Sequence, residues 1–156
     1  FRHFIIPDQL NLFLAFLGVV LVISKYKIQN TNYSFIGHYA LLFGLRENIW
    51  LNHFFAALVG MVFFGLIIVL SKGRAMGWGD FKLIGPLGLI FGWPDVLLII
   101  FLAFIIGSVV GVFLLIRKKK TIKEAVPFGP FLVIGSSLVF FFGYQIIDWY
   151  FKIFSL

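Results

Sequence analysis

The chain has 156 residues, of which 62% are hydrophobic and 12% charged, with a mean hydropathy of +1.07. A soluble domain is about 45–50% apolar and 25% charged, so this composition excludes a water-soluble globule and describes a protein solvated by lipid. The net charge is +7, and the absence of Cys excludes disulfides, thiol catalysis and thiolate metal sites within these residues.

The first long apolar run covers residues 4–24 and is entered through "IIPDQLNL". Pro7 followed by Asp8 suits a helix start, because proline presets φ and an acid meets the free N–H groups of the first turn. A connection over residues 25–52 follows. It is too long for a simple turn, and its mildly apolar part, residues 35–45, is expected to lie along the membrane interface. Asn32, Tyr33 and Ser34 match a glycosylation acceptor, but a three-residue match carries little weight. The second run covers residues 54–70.

The third run, residues 81–93, reaches only about 20 Å at helical rise and carries Gly85, Pro86, Gly88 and Gly92. A short or broken helix is expected there, surrounded by the others, because irregular backbone at membrane depth must be satisfied by neighbouring protein or a water-filled cavity. The fourth run, residues 96–116, leads into Arg117, Lys118, Lys119, Lys120 and Lys123. The fifth, residues 128–147, opens with "PFGPF" after that basic loop. The four long runs match the roughly 17–25 residues a crossing helix needs. Most of the 22 Phe read as lipid-facing bulk.

If the third run also crosses, the basic residues segregate. Arg2, Lys72, Arg74, Lys82 and the five of the basic loop fall on one side, whereas Lys25, Lys27, Arg46 and Lys152 fall on the other. The positive-inside rule then makes the first side cytoplasmic and puts Asp8 and Asp80 on that face. The expected fold is an all-α, polytopic membrane helical bundle with five crossings, forming one membrane-embedded domain over residues 1–156. The basic loop reads as an orientation signal and anionic-lipid contact, so lipid and not nucleic acid is the partner of the positive charge.

Asp80 sits in "MGWGDFKL", between Gly77 and Gly79 on one side and Lys82 on the other. One reading is an interfacial carboxylate, paired with Lys82 or Lys72, marking a helix start. The other is a catalytic acid: the flanking glycines let another chain approach closely, which suits a site that admits an extended peptide. Peptide hydrolysis of that kind needs a second acid, because two carboxyls held close share one proton, so that one activates water while the other polarises the scissile carbonyl. Lys82, two residues on, points well around the helix and is expected to snorkel to the interface. His3, His38 and His53 show no ligand spacing, so no metal site is expected.

"GWGDFKL" followed by "IGPLGLIFGW" resembles the GxGD segment of the type IV prepilin peptidases, membrane-embedded aspartic proteases. "IIPDQLNL" is similar to that family's (I/L)PD run, and "VPFGPFLVIG" to its proline-glycine motif before the last helix. The three motifs stand in the family's order and cover nearly the whole chain. The resemblance implies that Asp80 is the second catalytic aspartate, with Gly77, Gly79, Lys82, Pro7 and Asp8 in the motifs around the substrate groove. It also implies a role for "PFGPF" in shaping that groove.

In the family the first catalytic aspartate stands seven residues ahead of the proline of the PD run, which falls one position before Phe1. The chain is therefore expected to be a portion of a longer enzyme, with a sixth, N-terminal crossing, and to be inert by itself; an inactive relative is the alternative. Asp8, the noncatalytic acid of the PD run, is the substitute partner within the chain.

The implied function is removal of the leader from type IV prepilins and pseudopilins at the cytoplasmic face of the bacterial inner membrane, with no cofactor for the peptidase. S-adenosylmethionine enters only if a methyltransferase region with paired cysteines precedes these residues. A noncatalytic scaffold that binds pilin-like helices is the rival from another class. A small transporter using Asp80 as an ion site is a second rival, but it predicts more polar residues within the apolar runs.

Overall fold

The computed structural model describes residues 8–27, 48–73, 76–116 and 127–154. Among them are five helices and no strand: α1 (Asp8–Lys27), α2 (Ile49–Leu70), α3 (Trp78–Phe91), α4 (Asp95–Ile116) and α5 (Gly129–Phe154). Pro7, the interfacial stretch over residues 35–45, Asn32 and the basic loop from Arg117 to Lys123 lie outside the described residues.

The helices alternate in direction. Asp8 of α1 pairs with Lys82 near the start of α3, and a Cβ at Gly18 would touch Leu89 and Ile90 near its end, so α1 and α3 run parallel. On α2, Gly65 faces Phe81, Gly60 faces Ile84, and Asn52 and His53 face Gly92, which makes α2 and α3 antiparallel. Gly135 packs on Ile99 and Ala103, and Gly107 on Phe128 and Phe131, which makes α4 and α5 antiparallel. The starts of α1, α3 and α5 consequently share one end of the bundle, and Asp8 and Asp80 with them.

Of the short or broken helix expected for the third apolar run, the structure has the short one, 14 residues and continuous through Gly85 and Pro86. Proline frees only the carbonyl of Lys82, four residues back, and the turn is held between neighbours. Leu83, Ile84, Gly85, Pro86, Leu87 and Gly88 are all buried. A Cβ at Gly88 would lie 2.5 Å from the Ala57 Cα and 2.6 Å from its N, so the α2 and α3 backbones touch there. Small residues at such crossings allow dispersion contacts to hold helices together where lipid removes the hydrophobic drive. The opposite pattern covers α4 and α5: Phe101, Ile105, Val109, Phe113, Phe140, Phe141 and Phe142 are exposed. Apolar faces of this extent need a non-aqueous solvent. By length and composition α2 and α4 are able to cross a membrane.

Helix α2 begins at Ile49, five positions before the start expected from hydropathy. The extra turn carries Asn52 and His53, which are polar but serve the far end of α3. Asn52 Nδ2 donates to the Trp93 carbonyl at 3.0 Å, and the Trp93 N–H donates to Asn52 Oδ1 at 2.8 Å. His53 Nδ1 lies 2.8 Å from the Leu89 carbonyl, which can only accept, so the proton is on Nδ1. These contacts satisfy backbone groups that the end of α3 leaves open. Gly92 closes the helix at φ +81°, where a Cβ would come within 2.7 Å of Asn52 Oδ1.

Candidate active site

Asp80 occupies the first turn of α3 and is buried, with 5% of its surface exposed. Its placement follows from the local sequence. Gly77, extended at φ −84° and ψ 153°, is the N-cap and has no side chain with which to cap, so the acid three residues on reaches back to the Gly77 N–H. That is one half of a capping box. Trp78 is exposed and packs edge-on against Phe81, with ring centroids 5.9 Å apart. Gly79 lies between them.

The same carboxylate accepts hydrogen bonds from the backbone N–H groups of Phe128 and Gly129, where α5 begins. The reason lies in "PFGPF". Phe128 cannot cap with its ring, and Pro130 has no N–H. The amides of Phe131 and Leu132 are taken by the Phe128 carbonyl, at 3.0 and 3.2 Å. The donors left at the start of α5 are those of Phe128 and Gly129, and an acid from another helix satisfies both. Burial disfavours the ionised form of a carboxyl and three amide donors favour it, so Asp80 stands between two opposed influences.

An aromatic cluster keeps the Phe128 backbone in place. Its ring lies 4.8 Å from Phe104 of α4, 5.9 Å from Phe64 of α2 and 5.9 Å from Phe131, measured between centroids. Phe64 is fully buried and Phe131 is buried, so these two are not among the lipid-facing Phe that the composition suggests, whereas Phe104 is exposed. They were legible only as part of an excess of Phe.

Among the described residues Asp80 has no cationic partner. Lys82 turns away and pairs with Asp8, Nζ to Oδ1 2.6 Å, and both side chains are exposed, 50% and 73%. Neither Lys82 nor Lys72 meets Asp80, so the interfacial ion pair weighed from sequence does not form. Asp8 shares the end of the bundle with Asp80 but is directed outward. Asn11, one turn further along α1, was not singled out by sequence; it is buried at 7% exposure, with neither side-chain atom hydrogen-bonded. No group of three or more His, Asp or Glu able to hold a metal occurs among the described residues.

Comparison with known proteins bears on this site. Residues 1–112 match the family model described as the type IV leader peptidase family. The chain is 30% identical over 148 residues to a prepilin leader peptidase/N-methyltransferase of Legionella pneumophila, covering 95% of this chain and 46% of that protein. It is 31% identical over 158 residues to a protein of the same name from Xanthomonas campestris pv. campestris, covering 97% and 47%. A third, from Pseudomonas aeruginosa, is 30% identical over 144 residues, covering 92% and 44%. The chain thus spans about half the length of the curated relatives it matches. No solved structure matches it.

Proposed function

Because the chain belongs to the type IV leader peptidase family, we propose that it is the membrane-embedded peptidase part of an aspartic endopeptidase that removes the leader of prepilins or pseudopilins. The observation that carries this reading is Asp80 itself: a buried acid on a glycine-flanked first turn, held by amides alone and engaged by no described cation. A carboxyl kept for structure at a lipid boundary is commonly paired with a cation. One held by neutral donors has no neighbouring cation to neutralise it.

The second acid is the one that the family pattern places immediately before Phe1. With it, hydrolysis closes without a cofactor. One carboxylate takes a proton from water as the hydroxyl adds to the scissile carbonyl carbon, and the carbonyl oxygen takes the proton of the other carboxyl. The gem-diol then collapses. One of its hydroxyls returns a proton to the second carboxylate, and the first carboxyl protonates the leaving nitrogen as the C–N bond breaks. Both acids end as they began.

The five helices act as five crossings of the bacterial inner membrane in a single domain, with the starts of α1, α3 and α5 at the cytoplasmic face. The alternating directions and the exposed apolar faces of α4 and α5 support this, as does the one-sided distribution of basic residues. Gly77 and Gly79 admit the extended peptide around the cut, whereas Asp8 and Lys82 tie α1 to α3 at the rim. A methyl-transfer activity with S-adenosylmethionine would belong to another part of the protein, since these residues include no Cys with which to build the paired-cysteine region.

The test is Asp80→Asn in the complete gene product, assayed on a prepilin in detergent or membranes, with helicity measured alongside. Loss of cleavage with helicity retained supports the peptidase. Undiminished cleavage removes it and leaves a scaffold that binds pilin-like helices.

A further inference from the structure

We infer that Trp78, with Lys82 beside it, anchors α3 to the lipid headgroup layer, so that the membrane surface sets the depth at which Asp80 works. The anchor stands on the structure alone; its consequence for cleavage rests on the peptidase reading above.

Helix α3 is enclosed by its neighbours almost throughout. Of its residues, Trp78 to Phe91, only Trp78 and Lys82 are exposed. Both lie in the first turns, four positions apart and therefore on one face. Asp80 stands two positions from each and turns to the opposite side, where it is buried. The helix that bears the acid thus meets its surroundings through a tryptophan and a lysine. These residue types settle at a membrane boundary. The indole keeps its ring among acyl chains and offers its N–H to ester or phosphate oxygens, while the lysine stem lies along apolar surface with its ammonium in the polar layer. Here that ammonium meets the exposed carboxylate of Asp8.

The rest of the chain distributes tryptophan in the same way. Trp50 is the second residue of α2 and Trp149 lies in the last two turns of α5, both exposed and both at the opposite end of the bundle. Exposed phenylalanines also occupy the middle of helices, as Phe63 of α2, Phe104 of α4 and Phe141 of α5 do. A ring without a polar atom is free to sit anywhere along the lipid, whereas one with an N–H is kept to the boundary. The near boundary is marked independently. The apolar span of α2 closes at Leu70, Ser71, exposed Lys72 and Gly73 follow, and α3 begins at Trp78.

The indole is coupled to the turn that carries Asp80. It packs edge-on against Phe81, ring centroids 5.9 Å apart, and Phe81 meets Gly65 of α2, where a Cβ would lie 3.4 Å from the Phe81 ring. Gly77 and Gly79 carry no side chain that could hold the turn instead. A shift of the indole along the membrane normal therefore carries the backbone of residues 78–80 with it.

The experiment places the complete gene product in phosphatidylcholine vesicles, as wild type, Trp78→Phe and Trp78→Tyr. Phenylalanine keeps a ring against Phe81, so folding is preserved. The fluorescence difference between wild type and Trp78→Phe isolates Trp78, and lipids brominated near the ester end of the acyl chain are expected to quench it more than lipids brominated near the chain terminus. Stronger quenching by the deep bromines, or none by either, would overturn the anchor, the latter by showing another part of the protein over the ring. This readout needs no cleavage: if wild type itself fails to cut a prepilin, the peptidase reading goes and the anchor remains. In prepilin cleavage, kcat in the vesicles is expected to fall about tenfold for Trp78→Phe, since misplacement by about 1 Å costs up to roughly a hundredfold. Trp78→Tyr, a ring with a polar tip, is expected to restore it. In detergent micelles, whose surface adapts to the protein, Trp78→Phe is expected to equal wild type. Equal losses in vesicles and micelles, or full activity of Trp78→Phe in vesicles, would confine Trp78 to packing against Phe81 and overturn the link to Asp80.

Discussion

The two ends of α3 meet the same structural demand with different chemistry. At the far end, the open backbone groups of Leu89 and Trp93 are satisfied by neutral side chains, His53 and Asn52, reaching over from α2. At the near end, the open amides of Gly77, Phe128 and Gly129 are satisfied by an acid. Asparagine is as good an N-cap as aspartate, so capping by itself does not require a carboxyl at position 80. The difference teaches that hydrogen-bond satisfaction explains why a polar residue is buried there, and the proposed hydrolysis supplies a reason for its being an acid.

That comparison breaks most directly at Asp80→Asn. One side-chain oxygen remains to accept an amide, so helicity and thermal unfolding in detergent should change little, while peptide cleavage should drop roughly a hundredfold or more, as expected for removal of a general acid–base group. Parallel loss of fold and activity would mean that the two ends do not differ in kind.

Next in size is the contact between the ends. Gly88→Ala places a methyl group against the Ala57 backbone, where a Cβ has only 2.5 Å. Helices α2 and α3 must separate, at a cost of about 1–3 kcal/mol, which should appear as a lower unfolding midpoint. Activity per folded molecule should also fall, because α3 carries Asp80. An unchanged midpoint would show that the close approach is not needed.

At the far end, Asn52→Ala leaves the Trp93 N–H and carbonyl without their side-chain partner. Stability should fall by about 1–3 kcal/mol, measured as the unfolding midpoint, with the pH profile of cleavage unmoved. A moved profile would couple this end to the chemistry and blur the distinction. The smallest effect belongs to Lys82→Ala. Its exposed pair with Asp8 is worth about 0.2–1 kcal/mol, and salt titration of the unfolding midpoint should erase the difference from wild type.

Much of this was legible along the chain. The apolar runs located all five helices, and the positions of Asp8 and Asp80 on alternate helices put them at one end. Boundaries were less legible where polar residues serve another helix: Asn52 and His53 look like the edge of a loop until Leu89 and Trp93 are opposite them. Pro86 looked like a break because proline's effect is local in sequence, whereas α3 stays continuous through it, buried against α1 and α2. Phe128 was one of many phenylalanines, and nothing in its immediate neighbours shows that its ring is clamped by α2 and α4 or that its amide meets Asp80. One clue was available: a helix start with Phe128 at the cap and Pro130 behind it has no local acceptor, and so must find one elsewhere.

What the sequence determined by itself is what depends on neighbours a few residues apart: solvent preference, helix positions, the glycine-flanked turn that carries Asp80, and the motifs that place the chain in its family. The tertiary structure decided which helix starts converge on that acid, that Lys82 serves Asp8 and not Asp80, and that the third apolar run stays whole. Those outcomes depend on groups far apart in sequence, and a hydrogen bond or a backbone contact forms only when the fold brings both partners within a few ångströms.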